Sequence, residues 1–260
     1  MVYHLAASTS HGLASAARTY ATNVTGTENV ALAALDAGVE RLVFSSAIKV
    51  YGVAREGILD EDSARSPDSP YARSKARAED LLLDLDDGRG LPVVVARLGG
   101  TFGPGAIGWL GLFRAIAAGR FRLIGRGLGR YPASDVEDIV AGLVGCGTVP
   151  GIEGRVYNLA APVPVRIAEL VELIRRAVGG PRFGPPLPDL SLRLQRAAQR
   201  VSMRLSGRSL PGFGRVEFFL GDRAVDVSRA RRDLSYAPRA DPADSIERTA
   251  RWFRERGLLA

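Results

Sequence analysis

The sequence Ser69-Pro70-Tyr71-Ala72-Arg73-Ser74-Lys75 places a tyrosine and a lysine four positions apart at the start of a predicted helix. Residues with this spacing lie on the same helical face, so Tyr71 and Lys75 are predicted to be neighbours. A nearby ammonium favours the phenolate and is expected to lower the pKa of Tyr71 from its ordinary value of about 10. A tyrosine tuned in this way can move a proton at a substrate hydroxyl near neutral pH.

Strand-like and helix-like segments alternate around this pair. An apolar strand over 41–46 ends in small hydroxyl residues and is followed by a polar loop. Pro70 fits the first turn of the next helix, where its missing N–H costs little. The helix is predicted to end near Gly88, and a strand rich in valine follows over 91–98.

Two longer stretches carry a family resemblance. They are Val43-Phe44-Ser45-Ser46-Ala47-Ile48-Lys49-Val50-Tyr51-Gly52 and Arg97-Leu98-Gly99-Gly100-Thr101-Phe102-Gly103-Pro104-Gly105. Together with the tyrosine–lysine pair they resemble the extended short-chain dehydrogenase/reductase family, which includes NAD-dependent epimerases/dehydratases and 3β-hydroxysteroid dehydrogenases. The resemblance implies a partial Rossmann-like, doubly wound parallel sheet with a smaller C-terminal α/β substrate lobe. Residues 1–105, with 131–160, are expected to form the C-terminal part of the dinucleotide-binding domain, and 106–260 mainly the substrate lobe and closing helices.

The resemblance also implies the catalytic roles. Tyr71 is expected to act as general acid and base, and Lys75 to hold the hydroxyls of a nicotinamide ribose. The family's catalytic serine or threonine falls on Ala47 in this sequence. Ser46 or Ser45 is therefore expected to replace the missing hydroxyl and to orient the substrate oxygen.

The expected cofactor is NAD or NADP, and no metal is expected. The resemblance places the cofactor contacts at Ala6, Ala7, Asn23, Ser45, Tyr71, Lys75, Leu98, Gly99, Gly100 and Thr101. The stretch 98–101 is expected to approach the nicotinamide amide through backbone groups. The sequence does not distinguish NAD from NADP, because the residue that decides between them in this family is not found in it.

The glycine-rich turn that binds a dinucleotide pyrophosphate is not recognisable. Residues 103–108 match Gly-x-Gly-x-x-Gly, but no Asp or Glu lies between Asp87 and Asp135 to bind the ribose hydroxyls. The sequence begins at what resembles the fourth strand of the family's sheet. We therefore expect a truncated form of a longer product, with the strand at Tyr3 as an exposed edge. A catalytically silent scaffold is the alternative of another class.

Two departures from the family pattern concern the substrate. Sugar-nucleotide epimerases carry Asn where this sequence has Gly100, and a diphosphate-binding Arg where it has Phe218-Phe219-Leu220. Both differences remove polar contacts. The expected small-molecule substrate is a sugar nucleotide or, as in the 3β-hydroxysteroid dehydrogenase-like and dihydroflavonol reductase-like branches, a lipophilic alcohol. Hydride transfer at a carbinol carbon is expected for both.

Composition limits the remaining alternatives. The formal net charge is +7, and residues 181–260 account for it with 16 Arg against 9 Asp and Glu. No aromatic-interleaved basic stripe accompanies this charge, so nucleic acid is not expected as a partner. The single cysteine, Cys146, is expected to pack in the core and suits a reducing compartment. The sequence shows no signal peptide and no apolar run of about 18 residues, so we expect a cytoplasmic protein; a homodimer is a further expectation.

Residues 190–208 combine an apolar helical stripe with a basic face. Five arginines occupy the face beside the stripe: Arg193, Arg196, Arg200, Arg204 and Arg208. The segment is interpreted in three ways: a lobe helix with a solvated basic face, a helix in peripheral contact with an anionic membrane, or a lid that contacts a phosphate.

Overall fold

The computed structural model describes residues 1–9, 13–52, 57–188 and 222–259, together with five positions between 194 and 202. Its strands are β1 Val2–His4, β2 Leu42–Ala47, β3 Ile58–Leu59, β4 Val93–Leu98, β5 Gly100–Phe102, β6 Arg130–Tyr131, β7 Ala133–Asp135, β8 Val156–Leu159, β9 Val165–Arg166 and β10 Ala224–Val225. Its α-helices are α1 Leu13–Tyr20, α2 Gly26–Asp36, α3 Pro70–Arg89, α4 Leu110–Ala117, α5 Val136–Thr148, α6 Ile167–Val178, α7 Ser228–Leu234 and α8 Pro242–Glu255. A π-helical turn over Ala21–Thr25 joins α1 to α2, and 3₁₀ turns cover Ile48–Tyr51 and Ile107–Trp109.

Four strands form a parallel sheet in the order β1-β2-β4-β8. β2 and β4 consist largely of consecutive apolar residues, as expected for strands that helices cover on both faces. Alternate side chains point to opposite faces, so Phe44 packs with Leu82 of α3 while Val43 packs with Ile139 of α5. The predicted α/β fold with a parallel sheet is confirmed.

β1 forms one edge of the four-stranded sheet and is paired with β2. Tyr3 in this strand is 39% exposed, as predicted for an edge. Its phenol lies against α5 at Gly147, where a Cβ would come within 2.0 Å of the Tyr3 hydroxyl oxygen. Val140 and Val144 of α5 are also exposed, so this region presents apolar surface.

α3 carries the tyrosine–lysine pair and begins where the sequence predicts. The Ser69 hydroxyl accepts a hydrogen bond from the Ala72 amide at 3.2 Å, and Pro70 takes the first helical position. Gly90 follows the helix in the left-handed conformation, with φ of 70°. The helix thus has a defined start that fixes Tyr71 in its first turn.

A second apolar cluster lies beside the sheet. α4, α6 and α8 contribute Phe113, Ile174 and Phe253 to it, and β5 contributes Phe102. β5, which follows β4, pairs in parallel with β7, and β7 leads directly into α5. The domain boundary at residue 105 stays a prediction.

Parts of two sequence interpretations lie outside the described residues. Phe218-Phe219-Leu220 and most of 190–208 belong to this part of the chain. The described positions of the second segment are helical, with Leu194 and Val201 exposed, so its three interpretations stay predictions. Within the described ranges, no helix is both long enough and apolar enough to cross a membrane.

Candidate active site

A cleft of about 390 Å³ lies at the carboxyl ends of β2 and β4. Parallel α/β sheets bind ligands at this end, and the volume falls in the range of about 300–1,000 Å³ that is usual for ligand pockets. The predicted site residues that line the cleft are Ala7, Ser45, Ser46, Tyr71, Lys75, Leu98, Gly99, Gly100 and Thr101. The cleft is also lined by Leu5, Thr9, Ala47, Ile48, Lys49 and Tyr131.

Lys75 has a fixed position between α3 and β2. Its side chain is 1% exposed, and its Nζ donates a hydrogen bond to the Ser45 carbonyl oxygen at 2.6 Å. The ammonium also lies 4.5 Å from the centre of the Phe44 ring. Burial lowers the pKa of Lys75 to about 8, although the Glu79 carboxylate acts in the opposite direction. Since an ammonium carries three protons, the bond to Ser45 leaves donors for a ligand.

Tyr71 lines the same cleft, but the prediction of a lowered pKa is wrong. Burial raises the pKa of Tyr71 to about 12, because the phenolate loses hydration. Lys75 does not offset the rise in the Tyr71 pKa. Its ammonium donates to the Ser45 carbonyl oxygen of β2. Lys49 is the second cation nearby, with its Nζ 5.8 Å from the centre of the Tyr71 ring. Tyr71 is therefore a protonated phenol at neutral pH.

The Ser46 hydroxyl is bonded to a buried acid. Its Oγ donates to the carboxylate of Glu79, a residue of α3 with no exposed surface. The same carboxylate accepts hydrogen bonds from Arg97 Nη2 at 2.8 Å and from Arg65 Nη1 at 3.1 Å. Because a hydroxyl has a single proton, Ser46 in this arrangement offers a ligand only its lone pairs.

The buried polar network continues into the turn that follows β2. Arg97 Nη1 donates to the Tyr51 hydroxyl at 2.8 Å, and that hydroxyl donates to Asn158 Oδ1 at 2.8 Å. Gly52 closes the turn with φ of 85°, and a Cβ there would lie 2.3 Å from a backbone oxygen. These contacts hold the turn over 48–51 against the sheet.

Ser45 and Ala47 share one face of β2, since side chains alternate along a strand. Ser46 belongs to the opposite face, where it meets α3. All three residues border the cleft at the end of the strand. Ser45 is thus the serine on the same face as the position at which the family carries its catalytic hydroxyl.

Asn23 and Ala6, two predicted cofactor contacts, are not among the described residues that line the cleft. The Asn23 side chain accepts from the Ser8 amide at 2.7 Å and donates to the Ser8 carbonyl at 3.0 Å. Its Nδ2 also donates to Ser74 Oγ at 2.9 Å. Asn23 therefore fastens the segment after β1 to α3, beside Lys75, while Ala6 is exposed next to Ala7.

Tyr131 of β6 forms an aromatic part of the cleft wall. A Cβ on Gly100 would lie 2.1 Å from Tyr131 Cε1, so the ring fills the space that a side chain at position 100 would need. Trp109 packs edge-on against Tyr131 at 5.6 Å, and its Nε1 donates to the Thr101 carbonyl at 2.9 Å. The Arg223 guanidinium lies 6.0 Å from the centre of the Tyr131 ring.

Lys49, Glu79 and Tyr131 are site residues that the sequence analysis missed. Lys49 lies within a quoted motif, and the scarcity of lysine in this chain is a signal that could have identified it. Glu79 follows Lys75 by one helical turn, which also makes it recognisable. The packing of Tyr131 on Gly100 leaves no mark in the local sequence, because tertiary structure alone brings the two together.

Two other chemically versatile residues have structural environments. His4 is buried with its Nε2 2.9 Å from Thr27 Oγ1, and burial, followed by the Lys75 charge, lowers its pKa. Cys146 has no exposed surface, and burial raises the pKa of its thiol to about 12. In the part of the chain that the structure describes, no group of three or more His, Cys, Asp or Glu side chains could hold a metal ion.

Residues 1–160 match the model of the NAD dependent epimerase/dehydratase family. The chain belongs to this family. The predicted membership of the extended short-chain dehydrogenase/reductases is therefore confirmed, as is the class of NAD-dependent epimerase/dehydratase enzymes at the level of the family.

Two relatives align with almost the whole chain. A dTDP-glucose 4,6-dehydratase from Streptomyces griseus is 31% identical, over 98% of this chain and 71% of that protein. A 3beta-hydroxysteroid-dehydrogenase/decarboxylase isoform 1 from Arabidopsis thaliana is 27% identical, over 96% of this chain and 61% of that protein. The crystal structure of DesIV, a dTDP-glucose 4,6-dehydratase from Streptomyces venezuelae with NAD and TYD bound, has a TM-score of 0.76 at 26% identity. It covers 99% of this chain and 74% of the DesIV chain.

Proposed function

We propose that this chain is an NAD(P)-dependent oxidoreductase of the epimerase/dehydratase family that transfers hydride at a carbinol carbon of a sugar nucleotide. The observation that carries the proposal is the convergence of Tyr71, Lys75 and the strand end 98–101 on one cleft. The Streptomyces griseus dehydratase, at 31% identity, supports a sugar nucleotide as the substrate class.

The residues around the cleft fit the nicotinamide end of NAD or NADP. Lys75 supplies a buried ammonium, held at the Ser45 carbonyl, that can donate to ribose hydroxyls. Gly99 lies so close to Ser134 that a Cβ would come within 2.7 Å of its Oγ, so the strand end here is bare backbone. Ala7, Ser45, Leu98, Gly99, Gly100 and Thr101 complete the proposed contacts. When bound, the nicotinamide supplies the group that accepts or returns hydride.

Tyr71 holds and moves the proton. With its pKa raised to about 12, the phenol is protonated at neutral pH and can donate to a carbonyl oxygen as that oxygen becomes a hydroxyl. In the opposite direction Tyr71 must accept the substrate proton, which requires positive charge to stabilise a buried phenolate. Lys75 and Lys49 are the cations that line the cleft in the described part of the chain.

The two serines have different parts in this proposal. Ser45 orients the substrate oxygen, because it shares a strand face with Ala47. Ser46, whose proton is donated to Glu79, contributes an acceptor and anchors the strand end to α3. Asn23 positions α3 and the segment after β1 without touching the ligand.

The aromatic wall favours a second substrate class, a lipophilic alcohol or ketone. Tyr131, with Trp109 packed against it, forms an aromatic wall where the family's epimerases are expected to carry an amide side chain at position 100. The Arabidopsis thaliana relative supports this alternative. A catalytically silent scaffold is the alternative of another class, and Ala47 is the residue in its favour.

Location and assembly complete the proposal. The single cysteine is buried, which suits a reducing cytoplasm. The exposed edge at Tyr3 and the neighbouring Val140 and Val144 offer apolar surface to a second copy of the chain.

The function is tested by NADH fluorescence titration and by turnover of dTDP-glucose. Tyr71→Phe should bind NADH within about threefold of wild type and lose at least roughly 100-fold in turnover, because the proton donor is missing. Tyr20→Phe is the matched control, since Tyr20 is exposed and lies outside the set of residues that line the cleft. A cooperatively folded wild-type chain that neither binds NADH nor turns over the sugar nucleotide would favour the scaffold.

A further inference from the structure

Both lysines of this chain line the same cleft. Of its 35 Lys and Arg residues only Lys49 and Lys75 are lysines, and they border the cavity that contains Tyr71. An ammonium on a flexible stem is compact and donates in any direction, whereas a guanidinium is planar and larger. The cleft therefore carries two compact cations that can donate hydrogen bonds to an anionic group of a ligand.

The two lysines have different surroundings. The Lys75 ammonium is buried, donates to the Ser45 carbonyl oxygen and lies over the Phe44 ring. Lys49 belongs to the 3₁₀ turn Ile48–Tyr51, is half-buried, and places its Nζ over the Tyr71 ring. Lys75 is thus held by the protein backbone, while Lys49 lies beside the phenol that marks the reacting end of the substrate.

The electrostatic character of the cleft follows from its lining. No Asp or Glu in the described part of the chain lines it, while two lysines do. The Glu79 carboxylate lies behind Ser46, where it accepts hydrogen bonds from Ser46, Arg97 and Arg65. Among the described lining residues the ionisable groups that carry charge at neutral pH are the two lysine ammonium groups, and such a lining attracts anions.

We propose that Lys49 is a specificity residue that binds an anionic oxygen group of the substrate, a carboxylate or a phosphate, next to Tyr71. The inference rests on the proposed function only in taking Tyr71 as the substrate end of the cleft. A carboxylate on the sugar ring and the diphosphate of a sugar nucleotide share the chemistry that an ammonium recognises. UDP-glucuronate and UDP-glucose distinguish these two sources, because they differ only at C6, which is a carboxylate in the first and a hydroxymethyl group in the second.

The scarcity of lysine makes a direct test practical. Reductive methylation with ¹³C-formaldehyde labels Lys49, Lys75 and the N-terminal amine, and the methylated amines keep their charge. Lys75 is 1% exposed and should react slowly. The signal that is absent from Lys49→Arg identifies Lys49. The labelled wild-type chain is titrated with UDP-glucuronate and with UDP-glucose, and NaCl at matched ionic strength serves as the control.

The expected result is a saturable shift of the Lys49 signal that NaCl does not reproduce. A shift with UDP-glucuronate that is much larger than with UDP-glucose assigns the carboxylate; equal shifts assign the diphosphate. A Lys49 signal that moves with neither sugar nucleotide, or moves equally with NaCl, overturns the proposal.

Affinities measured on unlabelled protein provide the second readout. Lys49→Met should weaken binding of the responding nucleotide sugar at least tenfold, and Lys49→Arg should retain most of the affinity because it keeps the charge. Equal affinity of wild type and Lys49→Met overturns the proposal. These measurements need no turnover, so loss of the proposed enzymatic function would appear in the NADH and Tyr71→Phe experiments and leave this result readable.

Discussion

The hydroxyl of Ser46 donates its proton to the carboxylate of Glu79, which joins the end of a core strand to the middle of the helix that carries Tyr71 and Lys75. Glu79 is the shared acceptor for Ser46, Arg97 and Arg65. The hydrogen bonds that hold Ser46, Arg97 and Arg65 together therefore depend on the Glu79 carboxylate.

Glu79→Gln is expected to destabilise the protein by about 3–5 kcal/mol, because Arg97 would keep its charge in the interior without a carboxylate partner. Urea unfolding at pH 7 measures the change. Asp80→Asn is the matched control: Asp80 is the next residue, pairs with Arg65 at the surface, and is 41% exposed. That substitution should cost less than about 1 kcal/mol. Equal effects of the two substitutions would show that the buried network contributes little.

Gly100→Asn is expected to force Tyr131 out of its position, since a Cβ at residue 100 already meets the ring. Overpacking of this kind costs about 1–3 kcal/mol, which urea unfolding can measure. Gly111→Ala is the control, because Gly111 lies in α4 with nothing within 4 Å of the added Cβ. In the Tyr131→Ala background, which has lost the ring, Gly100→Asn should cost less than it does in wild type. An equal cost of Gly100→Asn in both backgrounds would mean that the ring is not the obstacle.

The free energy of unfolding should depend on pH through Lys75. Its folded pKa of about 8 lies below the ordinary value of 10.5, so the unfolded chain binds more protons between these values and stability rises with pH there. From pH 7 to 9.5, wild type should gain about 2 kcal/mol relative to Lys75→Met, which lacks the titrating group. Chemical unfolding of both proteins across this pH range tests the prediction. Parallel stability curves would rule out a depressed pKa.

Tyr71 should ionise only at strongly alkaline pH, because burial raises its pKa to about 12. The difference in absorbance at about 295 nm between wild type and Tyr71→Phe isolates this phenol during a pH titration. No phenolate from Tyr71 is expected below about pH 10. A Tyr71 phenolate already present at pH 8 would restore the opposite expectation, a pKa lowered by Lys75.

Sequence patterns predicted those parts of the site that local spacing determines. The Tyr71–Lys75 pair, the helix start at Pro70 and the strand ends at Ser46 and Leu98 all depend on short stretches of chain, and the structure brings the pair and the two strand ends to one cleft. The spacing did not reveal where the Lys75 ammonium points. Its hydrogen bond to Ser45 and the burial of Tyr71 depend on how α3 packs on β2, and this is why the predicted direction of the Tyr71 pKa was wrong.

Contacts between distant segments were not predictable in the same way. Gly100 was recognised as a departure from the family pattern, but nothing in its neighbourhood indicated that an aromatic ring from β6 would fill the space. Asn23 is bonded to Ser8 and Ser74, which gives it a supporting position that its own neighbours in the sequence do not reveal, and its contact with the cofactor stays a prediction. In each case the decisive partner is far away in the sequence.

Two side chains of α3 bind successive residues of β2: Lys75 binds the Ser45 carbonyl and Glu79 binds the Ser46 hydroxyl. Tyr131 and Lys49, by contrast, come from a separate short strand and from a turn. The turn is nevertheless tied to the same network, because Arg97 bonds both Tyr51 and Glu79, whereas β6 pairs with β9 outside the four-stranded sheet. Substitution at Tyr131 can therefore change the substrate wall at a distance from the α3–β2 attachments, whereas substitution at Lys49 also removes a cation beside the phenol that moves the proton.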